Sequence, residues 1–200
     1  MKLYFMPGAC SLASHMVLNE IGAQFEIERV GRDKKTASGK DYLAINPKGK
    51  VPALELDDGQ VLTEGPAILQ YLADSSGSET LAPRCGSLER ARVNEALNFV
   101  ASTLHPSFSP LFRDASEAER EAQRAAAGKN LDMLEQQLSD GRAYLTGAAF
   151  TIADAYGAVV AGWGEHVGLD MGRWPAVGAF VARVKARPSA VSAMQRESAA

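Results

Sequence analysis

Apolar residues along the first 75 positions switch between two spacings. Leu3-Tyr4-Phe5 is a short apolar run stopped by Pro7-Gly8, and it reads as a strand. From Ser11 to Ile21 the residues Leu12, Met16, Val17, Leu18 and Ile21 share a helical face, and Gly22 ends it. Phe25 to Val30 has the composition of a second strand. Residues 31–37 are polar and read as a loop, and Ser38 to Ile45 as a short helix closed by Asn46-Pro47. Val51 to Leu56 and Gln60 to Thr63 read as two strands joined at Asp58-Gly59, a hairpin signal. Pro66 to Ala73 reads as a helix with Gly65 as its cap, since Pro suits a first helical position. The order is β-α-β-α-β-β-α. A strand–helix–strand unit forces a parallel pair and the hairpin adds antiparallel strands, which gives a mixed sheet with helices against it.

Residues 74–87 have linker composition, and strand signals vanish after them. Leu88 to Leu104, Ser116 to Leu138, Ile152 to Val167 and Val177 to Ala186 read as helices. The expected organisation is an α/β domain over residues 1–77 and an all-helical domain over 86–200. Thr151-Ile152-Ala153-Asp154 has the spacing of a capping box, with Phe150 placed to staple it, and is read as helix-start structure.

Composition narrows the classes. The chain has 200 residues, and 21 Lys and Arg against 24 Asp and Glu leave a net charge of −3, which argues against a general nucleic-acid binder. No apolar run approaches the roughly 18 residues of a membrane span. Leu3-Tyr4-Phe5-Met6 before Cys10 has a passing likeness to a lipoprotein signal. Its run is far shorter than the roughly 7–15 apolar residues a secretory core needs, so Cys10 is read as part of the fold. Two cysteines, Cys10 and Cys85, make no disulfide framework, and a reducing cytoplasm is expected.

Three places can carry chemistry. Cys10 lies between a strand and the first turn of a helix, where partial positive charge and unpaired amides stabilise a thiolate. Cys10-Ser11-Leu12-Ala13 lacks the second cysteine of a Cys-x-x-Cys pair, so a two-thiol cycle within the motif is excluded while a mixed disulfide with an external thiol is not. A buried, inert cysteine is the plain alternative. Val51-Pro52 precedes a strand and suits either a cis bond in a tight turn, exposing the Val51 amide and carbonyl to a peptide laid alongside, or an ordinary trans turn. Glu64-Gly65 pairs an acid with helix-start amides, a combination that fits the ammonium and carboxylate of an amino-acid end, although a solvated acid near a cap has the same appearance. Lys34, Lys35 and Lys48 can attract a second carboxylate or merely keep the surface soluble. His15, His105 and His166 are too scattered for a metal site, and His15 reads as structural. His105, beside Pro106, favours a helix dipole or faces a cleft between the domains.

These residues together resemble the bacterial beta-class glutathione S-transferases. The likeness rests on Lys2-Leu3-Tyr4, Pro7-Gly8-Ala9-Cys10-Ser11-Leu12, Lys34-Lys35-Thr36, Ser38-Gly39-Lys40-Asp41, Asn46-Pro47-Lys48-Gly49, Val51-Pro52-Ala53-Leu54, Leu62-Thr63-Glu64-Gly65 and Phe150-Thr151-Ile152-Ala153-Asp154-Ala155, and it spans essentially the whole chain. It implies a thioredoxin-like first domain, an all-α second domain, a homodimer, glutathione as co-substrate without a metal, and small-molecule electrophiles as acceptors. It also implies that Cys10 contacts the glutathione sulfur, with Ser11 or Cys10 holding that sulfur as thiolate. Val51 would bind the cysteinyl part through its main chain, Glu64 and Gly65 the γ-glutamyl end, and Lys34 a carboxylate. Asn98, Ser102, Thr103, Leu104 and His105 would form a helical wall over the thiol, with His105 its polar partner. Phe108, Pro110, Phe112 and Trp163 would line the acceptor pocket. Two departures are visible: Pro106 stands where relatives often have lysine, and Gly65 where serine is common. Tyr4 occupies the place of a catalytic tyrosine in other classes and is read here as strand packing. Conjugation, thiol transfer, peroxide reduction and dehalogenation all stay open, as does a binding or regulatory protein without catalysis on the same scaffold.

Overall fold

Leu3, Tyr4 and Phe5 are all buried, because the strand that carries them lies inside a sheet covered on both faces. The computed structural model describes residues 1–200. Strands β1 (Lys2–Phe5), β2 (Glu26–Arg29), β3 (Ala53–Glu55) and β4 (Val61–Thr63) form one sheet in the order β2-β1-β3-β4. The β1–β2 pair is parallel, with Leu3 opposite Ile27, while β3 runs antiparallel to both β1 and β4. The mixed sheet expected from the sequence is present. One face packs Tyr4 with Val30, Tyr42 and Ala53. Helix α1 (Ser11–Glu20) packs against β1 and against helix α3 (Gly65–Ser76), whose buried Ile68, Leu69 and Leu72 each stabilise the fold by about 1.5–3 kcal/mol.

Two local expectations are corrected. Residues 31–41 turn back on themselves through isolated bridges from Val30 to Thr36 and from Lys35 to Asp41, so helix α2 is only Tyr42–Ile45, capped by Asp41 onto the Leu43 amide at 2.9 Å. Side-chain bonds replace the missing helical ones there: Glu28 accepts from the Ser38 amide and hydroxyl. Against burial, the bonds from Ser38 and Thr36 and the charge of Lys2 hold the Glu28 carboxyl down at about 2. The cap of α3 is Glu64, and Gly65 is its first helical residue.

By packing, the chain divides into Met1–Glu79 with Ala186–Ala200, and Thr80–Lys185. This departs from a linear split in two ways. Residues 80–83 are no free linker: Leu81 and Ala82 are buried, Leu81 accepts from the Ile152 amide at 3.0 Å, and Pro83 accepts from Arg90 at 3.1 Å. At the other end, a helix the sequence pattern does not announce, Pro188–Ala199, packs on α1. Its buried face is Ser189, Ala190, Ala193 and Glu197, too small and polar to register as an apolar stripe.

The second unit is helical: α4 (Leu88–Phe99), α5 (His105–Phe108), α6 (Glu117–Leu138), α7 (Ile152–Ala161) and α8 (Pro175–Lys185), which makes the C-terminal helix α9. The expected break at His105-Pro106 is instead a π-helical stretch, Val100–Leu104, leading into α5. Proline has no amide and crowds the carbonyl four residues back, and a widened turn relieves both. The capping box of α7 is present. The Asp154 carboxylate accepts from the Thr151 amide at 2.7 Å, the Thr151 hydroxyl at 2.8 Å and the Leu145 amide at 2.7 Å. Burial pushes that carboxyl up to about 6 against the pull of these donors. No helix is long and apolar enough to cross a membrane.

Candidate functional site

The turn after β1 brings Cys10 to the head of α1. Gly8 takes a φ of +70°, the left-handed region where glycine has no side-chain clash, and Ala9 donates to the Met6 carbonyl at 3.0 Å. Ser11 is fully buried, and its hydroxyl accepts from the Met6 amide and donates to the Met6 carbonyl, both at 3.3 Å. Through that engagement Ser11 staples the turn. From α9, Glu197 meets His15 Nδ1 at 3.1 Å and the Gly8 amide at 3.4 Å, so His15 is structural.

Cys10 caps α1, and its Sγ donates to the Val51 carbonyl at 3.4 Å. Burial pushes the thiol up to about 11. The amides of Cys10 and Ser11 act in the opposite direction, with Glu64 adding to the rise and Lys50 opposing it. Desolvation therefore outweighs the helix start. Burial and the helix start thus act in opposite directions on this thiol, whose Sγ is placed as a donor to the Val51 carbonyl.

Val51 ends a stretch in which three successive carbonyls are each held by side chains. Lys34 Nζ donates to Gly49 O at 2.8 Å. Tyr42 Oη and Asn46 Nδ2 donate to Lys50 O at 2.6 and 2.8 Å. Cys10 takes the third, and the Val51–Pro52 bond is cis. Lys34, expected to reach a ligand carboxylate, is thus already bound to the loop. Glu64 is exposed with a φ of +68°, and Lys48 Nζ lies 2.9 Å from its Oε1 and 2.9 Å from Thr63 Oγ1. Gly65 begins α3 over the Pro52 ring, which an added Cβ would meet at 3.8 Å. Cys10, Val51, Glu64 and Gly65 thus occupy one edge of the first unit. Tyr4 is apart from it: its ring is buried against Tyr42 and its hydroxyl donates to Glu55 at 2.6 Å, as strand packing requires.

The remaining expected residues belong to the helical unit. Asn98 and Ser102 are exposed and bond back to the carbonyls of Asn94 and Asn98 at 2.9 and 2.7 Å. The Thr103 carbonyl accepts from Asn130 at 3.2 Å, and Leu104 is buried, so these two serve the helix packing. His105 Nδ1 lies 2.6 Å from the Tyr156 hydroxyl, and its ring meets Trp163 edge-on with centroids 4.9 Å apart. Phe108 and Phe112 also meet Trp163 edge-on, at 6.2 and 5.4 Å, and Pro110 lies in the turn between them. Phe112 is 48% exposed where Phe108 is fully buried, so this aromatic group has an open side. Tyr156 and, in the first unit, Tyr42 and Asn46 escape a reading of the sequence. The one available signal is that a tyrosine among core residues needs a partner for its hydroxyl. No cluster of three or more His, Cys, Asp or Glu side chains is arranged to hold a metal ion, and both cysteines are free.

Comparison with known proteins follows the same division. The family model for the glutathione S-transferase N-terminal domain matches residues 8–75, and that for the C-terminal domain residues 97–188. Glutathione S-transferase GstA of Escherichia coli O157:H7 is 44% identical over 199 residues, 98% of each chain. Glutathione S-transferase GST-4.5 of Xanthomonas campestris is 38% identical over 98% of each chain. A sphingomonad glutathione S-transferase solved in complex with glutathione superposes with a TM-score of 0.95 at 44% identity, over 100% of both chains. A bacterial beta-class enzyme of Sphingomonas chungbukensis gives a TM-score of 0.94 at 44% identity, over 98% of both.

Proposed function

Because this chain belongs to the glutathione S-transferase family, we propose that it is a glutathione transferase whose sulfur chemistry is centred on Cys10. The observation that carries this reading is the 3.4 Å contact between Cys10 Sγ and the Val51 carbonyl, which joins a thiol to an open stretch of main chain. Glutathione would lie extended along Val51 with its sulfur beside Cys10. Its γ-glutamyl ammonium would meet Glu64, and its γ-glutamyl carboxylate the first amides of α3.

In this reading Cys10 works as a donor. Its S–H leaves the Val51 carbonyl and bonds to the glutathione sulfur, favouring loss of the glutathione proton to solvent. The thiolate lone pair then forms the carbon–sulfur bond, and the leaving group departs with its bonding electrons. The aromatic group around Trp163 is the candidate surface for an apolar acceptor. Thiol–disulfide exchange through Cys10 itself would need its thiolate, which burial disfavours. A homodimer in a reducing cytoplasm completes the proposal, and light scattering tests the first of these.

The test is calorimetric binding of glutathione together with turnover of an activated aryl halide. Wild type binds and turns over. Glu64→Ala weakens glutathione binding about tenfold while leaving the melting temperature unchanged, as loss of a charge-assisted contact predicts. A wild type that binds no glutathione, or an unchanged Glu64→Ala isotherm, overturns the assignment.

A further inference from the structure

We infer that Tyr42 and Asn46 are positioning residues for glutathione, acting through the Lys50–Val51 peptide; the inference rests on the reading just given. A trans peptide is planar, with its C=O and N–H pointing in opposite directions. The Lys50 carbonyl and the Val51 amide are the two ends of one such plane, since the cis bond lies one residue later, between Val51 and Pro52. Whatever fixes the carbonyl therefore aims the amide.

The carbonyl is fixed twice. Tyr42 Oη is 2.6 Å from Lys50 O and Asn46 Nδ2 is 2.8 Å from it, and a further 3.4 Å contact joins Asn46 Nδ2 to the Tyr42 hydroxyl. Both side chains are themselves packed in. Tyr42 is fully buried with its ring tilted against Tyr4 at 5.6 Å between centroids, and Asn46 is 3% exposed. Asn46 is also tied at its acceptors, since its side-chain oxygen takes the Lys48 amide at 3.2 Å and its carbonyl the Gly49 amide at 2.9 Å. With the carbonyl drawn inward by these two groups, the Val51 N–H points away from them, and no hydrogen bond of the fold uses it. It is held ready for the carbonyl of an extended peptide. Before a ligand binds, the flanking bonds, from Lys34 to Gly49 O and from Cys10 to Val51 O, keep the planes on either side from turning.

The experiment compares wild type with Tyr42→Phe, Asn46→Ser and the double variant, each labelled with 15N-valine. Tyr42→Phe keeps the buried ring and removes only the donor. In wild type, glutathione should shift the Val51 amide resonance. In the double variant that resonance should already be displaced without ligand, and the KM for glutathione should rise about tenfold. The kcat at saturating glutathione and the KM for the electrophile should stay within about twofold. A purely structural role would lower kcat and melting temperature together. If wild type binds glutathione but the folded Tyr42→Phe variant and the double variant bind it equally well, the positioning role is wrong and the functional reading stands. If wild type itself binds no glutathione, the functional reading fails first.

Discussion

The protonation of Cys10 can be tested directly by its rate of alkylation against pH. Cys85 is exposed and would obscure the measurement, so the protein is used as Cys85→Ser, leaving a single thiol. Burial places the Cys10 thiol at about 11, above its ordinary 9.0. At pH 7 that leaves a thiolate fraction of about 10⁻⁴, against about 1% for a thiol at 9.0. Alkylation by iodoacetamide should therefore run about 100-fold slower than with such a free thiol at pH 7. It should climb about tenfold per pH unit and show no plateau below pH 10. Stability supplies a second readout with a definite sign. The folded state keeps its proton between about pH 9 and 11 while the unfolded chain loses it, so this group's contribution is intact below 9. It declines as pH rises through that window, by about 3 kcal/mol at most. The assay is intact-mass spectrometry of timed samples, paired with urea unfolding at pH 8 and 10. A plateau by pH 8 would mean that the helix-start amides outweigh desolvation. It would refute the donor role and restore a thiolate at Cys10.

Two further predictions concern the scaffold. Asp154→Ala orphans the buried amides of Thr151 and Leu145 and should cost about 2–4 kcal/mol at pH 7, seen as a lower urea midpoint at constant slope; a loss under 1 kcal/mol would show that water replaces the carboxylate. Gly65→Ser should leave stability within about 0.5 kcal/mol, because a Cβ there meets Pro52 at an ordinary 3.8 Å and no left-handed φ is required; a clear drop in melting temperature would show a constraint on Gly65 other than space.

Strands and long helices were legible because their burial is apolar and periodic. Leu3 to Phe5 announces itself as an apolar run and α6 by leucines on one face, while the hairpin is announced by its Asp58-Gly59 turn. The failures share a cause. In residues 31–41 and in α9, polar side chains take the place of apolar burial: Glu28 holds Ser38, and Glu197 holds His15 and Gly8. A binary pattern of apolar and polar positions has no symbol for a buried polar residue that has a partner. The site was legible in the same uneven way. Cys10, Val51, Glu64 and Gly65 could be singled out because turn, proline and helix-start chemistry are local. The bonds of Ser11 and Lys34, to Met6 and Gly49, were not legible, because they depend on how the turn closes.

This bears on how a site so open can be well defined. Val51 sits outside any strand, and loops ordinarily carry more freedom than the elements they join. Here the three carbonyls from Gly49 to Val51 are tied to Lys34, to Tyr42 and Asn46 of α2 and its C-terminal cap, and to Cys10, so the donors come from three stretches of chain. The loop thus borrows its rigidity from a buried aromatic face and a helix cap. Its cysteine is part of the same lattice: before a ligand arrives, the thiol proton is engaged with the loop that would bind the ligand's main chain. A ligand sulfur that attracts that proton must release the Val51 carbonyl. Under the proposed reading, binding at the main chain and activation at the sulfur would be coupled through one hydrogen bond, and Cys10→Ala should lower kcat far more than it changes glutathione affinity in a calorimetric titration.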